Sequence, residues 1–178
     1  MSLIKYEDIK TPVVRDIAKR MCIAARTAPK GRGVDNLLIT IAETDTIKKI
    51  SNHLIKMADQ HQAEGFRRDG LNILEADVIV LLATKIAPLG LKVCGLCGYP
   101  NCEAKLKNPD APCAFNTHDL GIAVGSAVGI ASDNRVDNRI MYSVGLAVRA
   151  LDLLAPEYRI IMGIPLTATG KNPFFDRK

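Results

Sequence analysis

A chain of 178 residues with 48% hydrophobic content has enough length and apolar mass to bury a core of its own. Its formal net charge is +5, yet the basic residues are scattered and aromatics make up only 4%, which argues against a nucleic-acid partner. No apolar run approaches the roughly 18 residues of a membrane span, and the polar start from Met1 to Lys10 is unlike a signal peptide. A reducing, cytoplasmic setting is therefore expected, where clustered cysteines point to metal more than to disulfides.

Thr11 and Pro12 predict a helix start, with a hydroxyl at the cap and proline at the first helical position. Val13, Val14, Ile17, Ala18, Met21, Cys22, Ala24, Ala25 and Ala28 follow at helical spacing until Pro29 ends the stripe. Cys22 lies on that stripe and reads as a small core residue, with a redox or fifth-ligand role as the alternative. Lys30 to Asn36 is a glycine-interrupted basic loop. It is either a solvated turn or a place where backbone comes close to a ligand whose phosphate Lys30 and Arg32 would hold.

Leu37 to Ala42 predicts a strand, apolar nearly throughout and so expected to be covered on both faces. Thr44 or Asp45 caps a second helix with Ile47, Ile50, Leu54 and Met57 on one side. His53 and His61 read as surface residues, and Arg67 to Gly70 as a turn or helix end. Val78 to Ala83 predicts a second buried strand.

The strongest chemical signal runs from Val93 to Cys113. Four of the five cysteines, Cys94, Cys97, Cys102 and Cys113, follow the pattern Cys-x2-Cys-x4-Cys-x10-Cys on one irregular stretch. Such a loop can wrap one tetrahedral metal or an iron–sulfur cube. The short step to Cys102, the proline before Cys113 and the continuity of the stretch favour a 4Fe-4S cluster. Structural zinc and free thiols or partial disulfides are the alternatives. Lys92, Lys105 and Lys107 flank the site and would offset the charge of either metal. An oxidised cube of about −2 would bring the chain to roughly +3, and a flavin phosphate of about −2 to roughly +1.

Asn116 to Asp119 predicts the cap of a third helix, on which Gly121, Gly125 and Gly129 recur every fourth residue. Glycine costs about 1 kcal/mol per helical position against alanine, so close approach of another helix or of a flat cofactor is expected there. His118 and Asp119 read as capping residues, with proton shuttling as the alternative. Asp133 to Arg139 reads as a turn between helices. The last helix uses Ile140, Met141, Val144, Val148, Leu151 and Leu154, and a third strand runs from Arg159 to Met162. The tail carries Phe174 and Phe175 and is expected to dock on the domain or on a partner subunit.

Two features resemble a known fold. Ala24 to Pro29, followed by a glycine-rich loop and a buried strand, looks like the opening of the nitroreductase-like flavoproteins. Asp119-x-Gly121-Ile122-Ala123, and Gly163-Ile164-Pro165 with Lys171 and Arg177, look like that fold's central helix and flavin-phosphate tail. With its cysteine loop, the whole chain resembles a family of uncharacterised bacterial and archaeal proteins containing a ferredoxin domain. The resemblance implies one α+β, nitroreductase-like domain over residues 1–178. It would be a three-layer fold around a mixed sheet, with the ferredoxin-like loop over 93–113 inserted. It also implies an intertwined homodimer with FMN between subunits. Arg26, Lys30 and Arg32 would then lie near the flavin, and Lys171 and Arg177 near its phosphate.

Two functional classes follow. One is a redox protein, an electron carrier or a flavin-assisted oxidoreductase acting on a small acceptor, with a redox partner protein. The other is a binding or assembly module stapled by zinc. No serine–histidine–carboxylate set, paired-carboxylate site or phosphate-loop signature supports a hydrolase.

Overall fold

The computed structural model describes residues 3–175. In chain order its elements are α1 (Tyr6–Thr27), β1 (Leu37–Ala42), α2 (Thr44–His61), α3 (Glu64–Asn72) and β2 (Val78–Lys85). There follow α4 (Cys102–Leu106), α5 (Ala114–Asp133), β3 (Asp137–Asn138), α6 (Tyr142–Ala150) and β4 (Tyr158–Thr167). The sheet has the order β1-β2-β4-β3, with helices on both faces.

The α+β class and three-layer arrangement are as expected, with one correction. Every strand pairing among the described residues is antiparallel, where a mixed sheet is expected. A single crossover helix would return the chain parallel, whereas the α2–α3 pair between β1 and β2 returns it reversed.

β2 is the centre of the core and is buried at all positions but Lys85. Its side chains alternate between two layers, as the period of a strand requires. Val78, Val80 and Leu82 meet α1 and α5, while Ile79, Leu81 and Ala83 meet α2 and α6. β1 is less covered than expected, with only its end residues Leu37 and Ala42 fully buried, because it lies at the sheet edge.

Tertiary contacts move several boundaries. α1 begins at Tyr6 and Pro12 falls inside it. The Thr11 hydroxyl does not cap the helix but donates to Asp77 Oδ1 at 2.5 Å. Asp77 also accepts from the Thr167 hydroxyl at 2.8 Å and pairs with Lys10 at 3.3 Å, tying the start of α1 to β2 and β4. Arg67 to Gly70 lies within α3, not at a helix end. There the buried Asp69 accepts from the Ser143 hydroxyl at 2.6 Å and the Arg68 guanidinium at 2.8 Å, joining α3 to α6. The stretch expected as a plain turn contains β3, and β4 extends to Thr167 through Pro165.

The tail docks as expected. Phe174 is fully buried, its carbonyl accepts from Arg139 Nη1 at 3.0 Å, and Arg139 lies 5.4 Å from the exposed Phe175 ring. Lys171 is described; Arg177, expected at the flavin phosphate, lies outside the described residues.

The glycines expected to meet another helix do not meet one in this chain. A Cβ at Gly121, Gly125 or Gly129 would find nothing within 4 Å, and all three are exposed. Contact with α1 is made instead by the opposite face, where Ala123, Ala127 and Ala131 are fully buried. Close backbone approach occurs elsewhere, between α6 and β4. A Cβ on Gly145 would stand 1.8 Å from the Ile161 carbonyl oxygen, and one on Gly163 would stand 2.3 Å from Val144 Cγ1.

Candidate metal centre

The chain leaves the sheet after Lys85 and returns to a long helix only at Ala114, and all four loop cysteines lie on this excursion. Three local devices shape it. Gly98, at φ +85°, closes a turn in which its amide donates to the Gly95 carbonyl at 3.0 Å, bending the chain around Cys94 and Cys97. Asn101 caps the five-residue α4, its side-chain oxygen accepting from the Ala104 amide at 2.8 Å, and so presents Cys102 at the first helical position. Cys113 is the N-cap residue of α5, and its carbonyl accepts from the Asn116 amide at 3.0 Å.

These turns bring Cys94, Cys97, Cys102 and Cys113 to the wall of one small cavity. Pro88, Leu89, Leu91, Ala114 and Phe115 complete its lining together with the side chain of Lys105. All four cysteines are free thiols, Cys113 buried and the others half-buried. Among the described residues, no three His, Cys, Asp or Glu side chains converge as the ligands of a single ion would.

Two buried polar groups beside the cavity are unusual. Lys105 is 1% exposed and, among the described residues, its side chain makes no hydrogen bond or ion pair. Asn116 is fully buried one helical turn after Cys113; its side-chain oxygen accepts from the Ala87 amide at 2.9 Å, and its Nδ2 has no partner. The Ala87 amide needs an acceptor, so exchanging the oxygen and nitrogen of Asn116 would leave both groups worse placed. An orphaned buried donor costs about 1–3 kcal/mol. The Asn116 donor and the buried Lys105 beside four thiols suit an anionic group rich in sulfur, and the donor set fits an iron–sulfur cluster.

Asn116 also corrects the expected cap of the third helix. α5 begins at Ala114, so Asn116 and Asp119 lie inside it. Asp119 is buried and accepts from the Gly31 amide at 3.0 Å, which makes it a tether for the basic loop. His118 is exposed and packs edge-on to Phe115, with ring centroids 6.4 Å apart.

The basic loop forms a second part of the site. Gly31 packs so closely on the cavity lining that a Cβ there would come within 2.7 Å of Leu89 Cδ1 and 3.0 Å of Phe115 Cδ1. Arg32, at φ +54°, donates to the Leu89 carbonyl at 3.0 Å. Lys30 turns back to the end of α1, donating to the carbonyls of Ala25 at 3.2 Å, Ala28 at 2.8 Å and Arg26. Arg26 pairs with Asp35 at 2.5 Å and donates to the Leu37 carbonyl at 3.2 Å. Burial opposes ionisation of Asp35, but the Arg26 hydrogen bond, the Leu37 amide and the charges of Arg26 and Lys30 together hold its carboxyl below the usual range.

Arg26, Lys30 and Arg32 therefore gather at the end of α1. The segment that carries Lys171 lies at the other end, where the Tyr6 hydroxyl donates to the Ala168 carbonyl at 2.9 Å. The 22 residues of α1 span roughly 33 Å. One chain does not assemble these residues into a single flavin site. Cys22 packs against the α1–α5 core, and desolvation pushes its thiol up despite the Arg26 charge.

The chain is 35% identical to an uncharacterized protein of Archaeoglobus fulgidus over 183 residues, covering 98% of this chain and 97% of that one. Residues 109–177 match the family described as "Uncharacterized protein containing a ferredoxin domain (DUF2148)". The chain belongs to this ferredoxin-domain family. The matched stretch contains Cys113 and lies beyond the other three loop cysteines.

Among solved structures the chain is similar to a BluB-like flavoprotein from Clostridium difficile 630, with a TM-score of 0.60 and 19% identity over 99% of this chain and 86% of that one. It is similar to a nitroreductase family protein from Clostridium novyi NT, with a TM-score of 0.59 and 13% identity over 94% and 77%. A nitroreductase with bound FMN from Bacteroides fragilis matches with a TM-score of 0.56 and 12% identity over 99% and 84%. The fold of this ferredoxin-domain protein is thus nitroreductase-like.

The four cysteines are conspicuous by spacing alone. Lys105 and Asn116 are not, because their significance rests on burial. Leu89 and Phe115 carry no local signal either; their place between loop and cavity is set by packing across the chain.

Proposed function

We propose that this protein is a cytoplasmic iron–sulfur redox protein in which Cys94, Cys97, Cys102 and Cys113 hold a 4Fe-4S cluster. The observation that carries the reading is one cavity lined by all four cysteines, with the buried Lys105 in its wall. A cluster so held supplies one-electron transfer. The chain's own part is to orient four thiolates, to exclude bulk water with Leu89, Leu91 and Phe115, and to supply positive charge and donors around the sulfurs. Structural zinc is the second reading, and it would require the sulfurs to draw together to the tetrahedral Zn–S distance of about 2.3 Å.

FMN, and with it flavin-assisted reduction of a small acceptor, belongs to the same proposal through a homodimer. Arg26, Lys30 and Arg32 of one subunit and Lys171 of another would share the flavin, since one chain keeps them at opposite ends of α1. The exposed Gly121, Gly125 and Gly129 face of α5 offers room for the second copy. Arg177 would join Lys171 at the phosphate.

Purification without oxygen, followed by iron, sulfide, zinc and flavin analysis, tests the reading. Iron and acid-labile sulfide in equal amounts, near four per chain, and a brown colour lost in Cys97→Ser with the dimer retained, are expected. Full cluster absorbance in Cys97→Ser would remove the ligand assignment. Colourless protein with one zinc per chain would replace the redox reading with the staple.

A further inference from the structure

Lys105 is one of the largest wholly buried side chains among the described residues. At 1% exposure the side chain as a whole is packed almost entirely out of water, which leaves its charge far less solvated than a lysine on a surface. A buried ammonium without a counter-charge is among the costliest arrangements a protein can hold. Among the described residues no carboxylate, carbonyl or hydroxyl accepts from it. The cavity it lines carries four thiols instead.

Local structure accounts for its position. The Asn101 cap starts α4 at Cys102, and Lys105 follows three residues later, on the same face of that single turn. Lys92 and Lys107, which sequence spacing alone does not distinguish from Lys105, are both exposed. One of three flanking lysines is thus inside the site and two are in solvent.

We infer that Lys105 is the resident counter-charge of the group held by the four cysteines, and that it favours that group's reduced state. The inference rests on the iron–sulfur reading above. Four thiolates around an oxidised cube carry a net charge of about −2, and reduction brings it to about −3. One electron enters from an external reductant such as dithionite, and no bond is made or broken. A positive charge fixed in a low-dielectric wall stabilises the more negative form more strongly, so the reduction equilibrium moves toward it. Exposed lysines are screened by water and salt and have little such effect.

The test uses the full chain prepared without oxygen, with metal and sulfide content measured first and the midpoint potential then read by dithionite titration. Lys105→Met is expected to move the reduction equilibrium toward the oxidised form by at least tenfold, 59 mV for a one-electron couple. Lys105→Arg, which keeps the charge, and Lys107→Met, which removes an exposed one, should stay within about threefold of the parent, a shift smaller than that tenfold step. Loss of iron from Lys105→Met with retention in Lys105→Arg would also support the inference. A fully loaded Lys105→Met with an unchanged midpoint overturns it, leaving the iron–sulfur reading intact. Loss of iron from both variants assigns Lys105 a packing role and overturns it as well. If the parent chain holds no iron and sulfide, the underlying reading falls and the inference with it.

Discussion

Arg32 donates from its guanidinium to the carbonyl of Leu89, 57 residues further on, and Leu89 lines the cysteine cavity. The bond fastens the basic loop after α1 to the wall of the candidate metal centre. Two regions that sequence presents as unrelated thus share one boundary.

That boundary predicts the first outcome. Arg32 has a left-handed backbone, so Arg32→Gly removes the side chain without adding strain, whereas Arg32→Ala keeps the strain and loses the bond. A hydrogen bond from a charged donor contributes about 1.5 kcal/mol, which is about a tenfold change in local opening. Bleaching of the brown absorbance in air should quicken in Arg32→Gly by up to that factor, with iron content before exposure unchanged. Bleaching at the parent rate would show that the contact does not guard the cavity.

Gly145 predicts the largest loss of stability. A methyl group there would stand 1.8 Å from the Ile161 carbonyl oxygen, a backbone atom that cannot turn aside. Gly145→Ala should lower unfolding free energy by about 3 kcal/mol or more, or prevent folding. At Gly163 the clash is with the Val144 side chain, so Val144→Ala should relieve part of the damage of Gly163→Ala. Additive losses in that double-mutant cycle, followed by urea denaturation, would contradict the packing described.

The exposed glycines of α5 behave oppositely. Gly125→Ala meets no atom within 4 Å in the chain, so helix propensity alone should raise monomer stability by about 0.5–1 kcal/mol. Gly125→Leu should weaken the proposed homodimer, read as a rise in the sedimentation dissociation constant. An unchanged association would mean that a second copy docks elsewhere.

Asp35 gives a pH dependence with a definite sign. Its folded carboxyl titrates below the ordinary aspartate range, so its contribution to stability is present above that range and is lost as pH falls through the lower folded value. Urea midpoints of the parent and Asp35→Asn should therefore differ near neutral pH and converge in acid. A gap that persists after the carboxyl is protonated would mean that shape, not charge, links the loop to Arg26.

Cys22 and the loop cysteines should separate by reactivity. Desolvation raises the Cys22 thiol, so little thiolate forms near neutral pH. In metal-free protein, iodoacetamide followed by mass spectrometry should modify Cys94, Cys97 and Cys102 well before Cys22. Modification of Cys22 first would mean that its helix opens readily.

Much of the scaffold is legible without coordinates, since it follows from periodicity. β1 falls where Leu37 to Ala42 predicts it, β2 extends only to Lys85, and Ile47, Ile50 and Leu54 all point into the core. Boundaries were less legible where distant partners override local chemistry. Thr11 and Pro12 read as a cap, yet Asp77, 66 residues away, takes the Thr11 hydroxyl and the helix begins earlier. Asn116 and Asp119 read as caps for the same local reason, yet one serves the Ala87 amide and the other the Gly31 amide.

Cysteine spacing is covalent information, so the primary structure alone selected the four sulfurs and the kind of group they suit. Which lysine packs beside them is a matter of burial, and burial arises only when chain segments far apart in sequence close over one another. Packing decided that Lys105 lies in the wall while Lys92 and Lys107 remain in water, and that the loop of Gly31 and Arg32 rests against that wall.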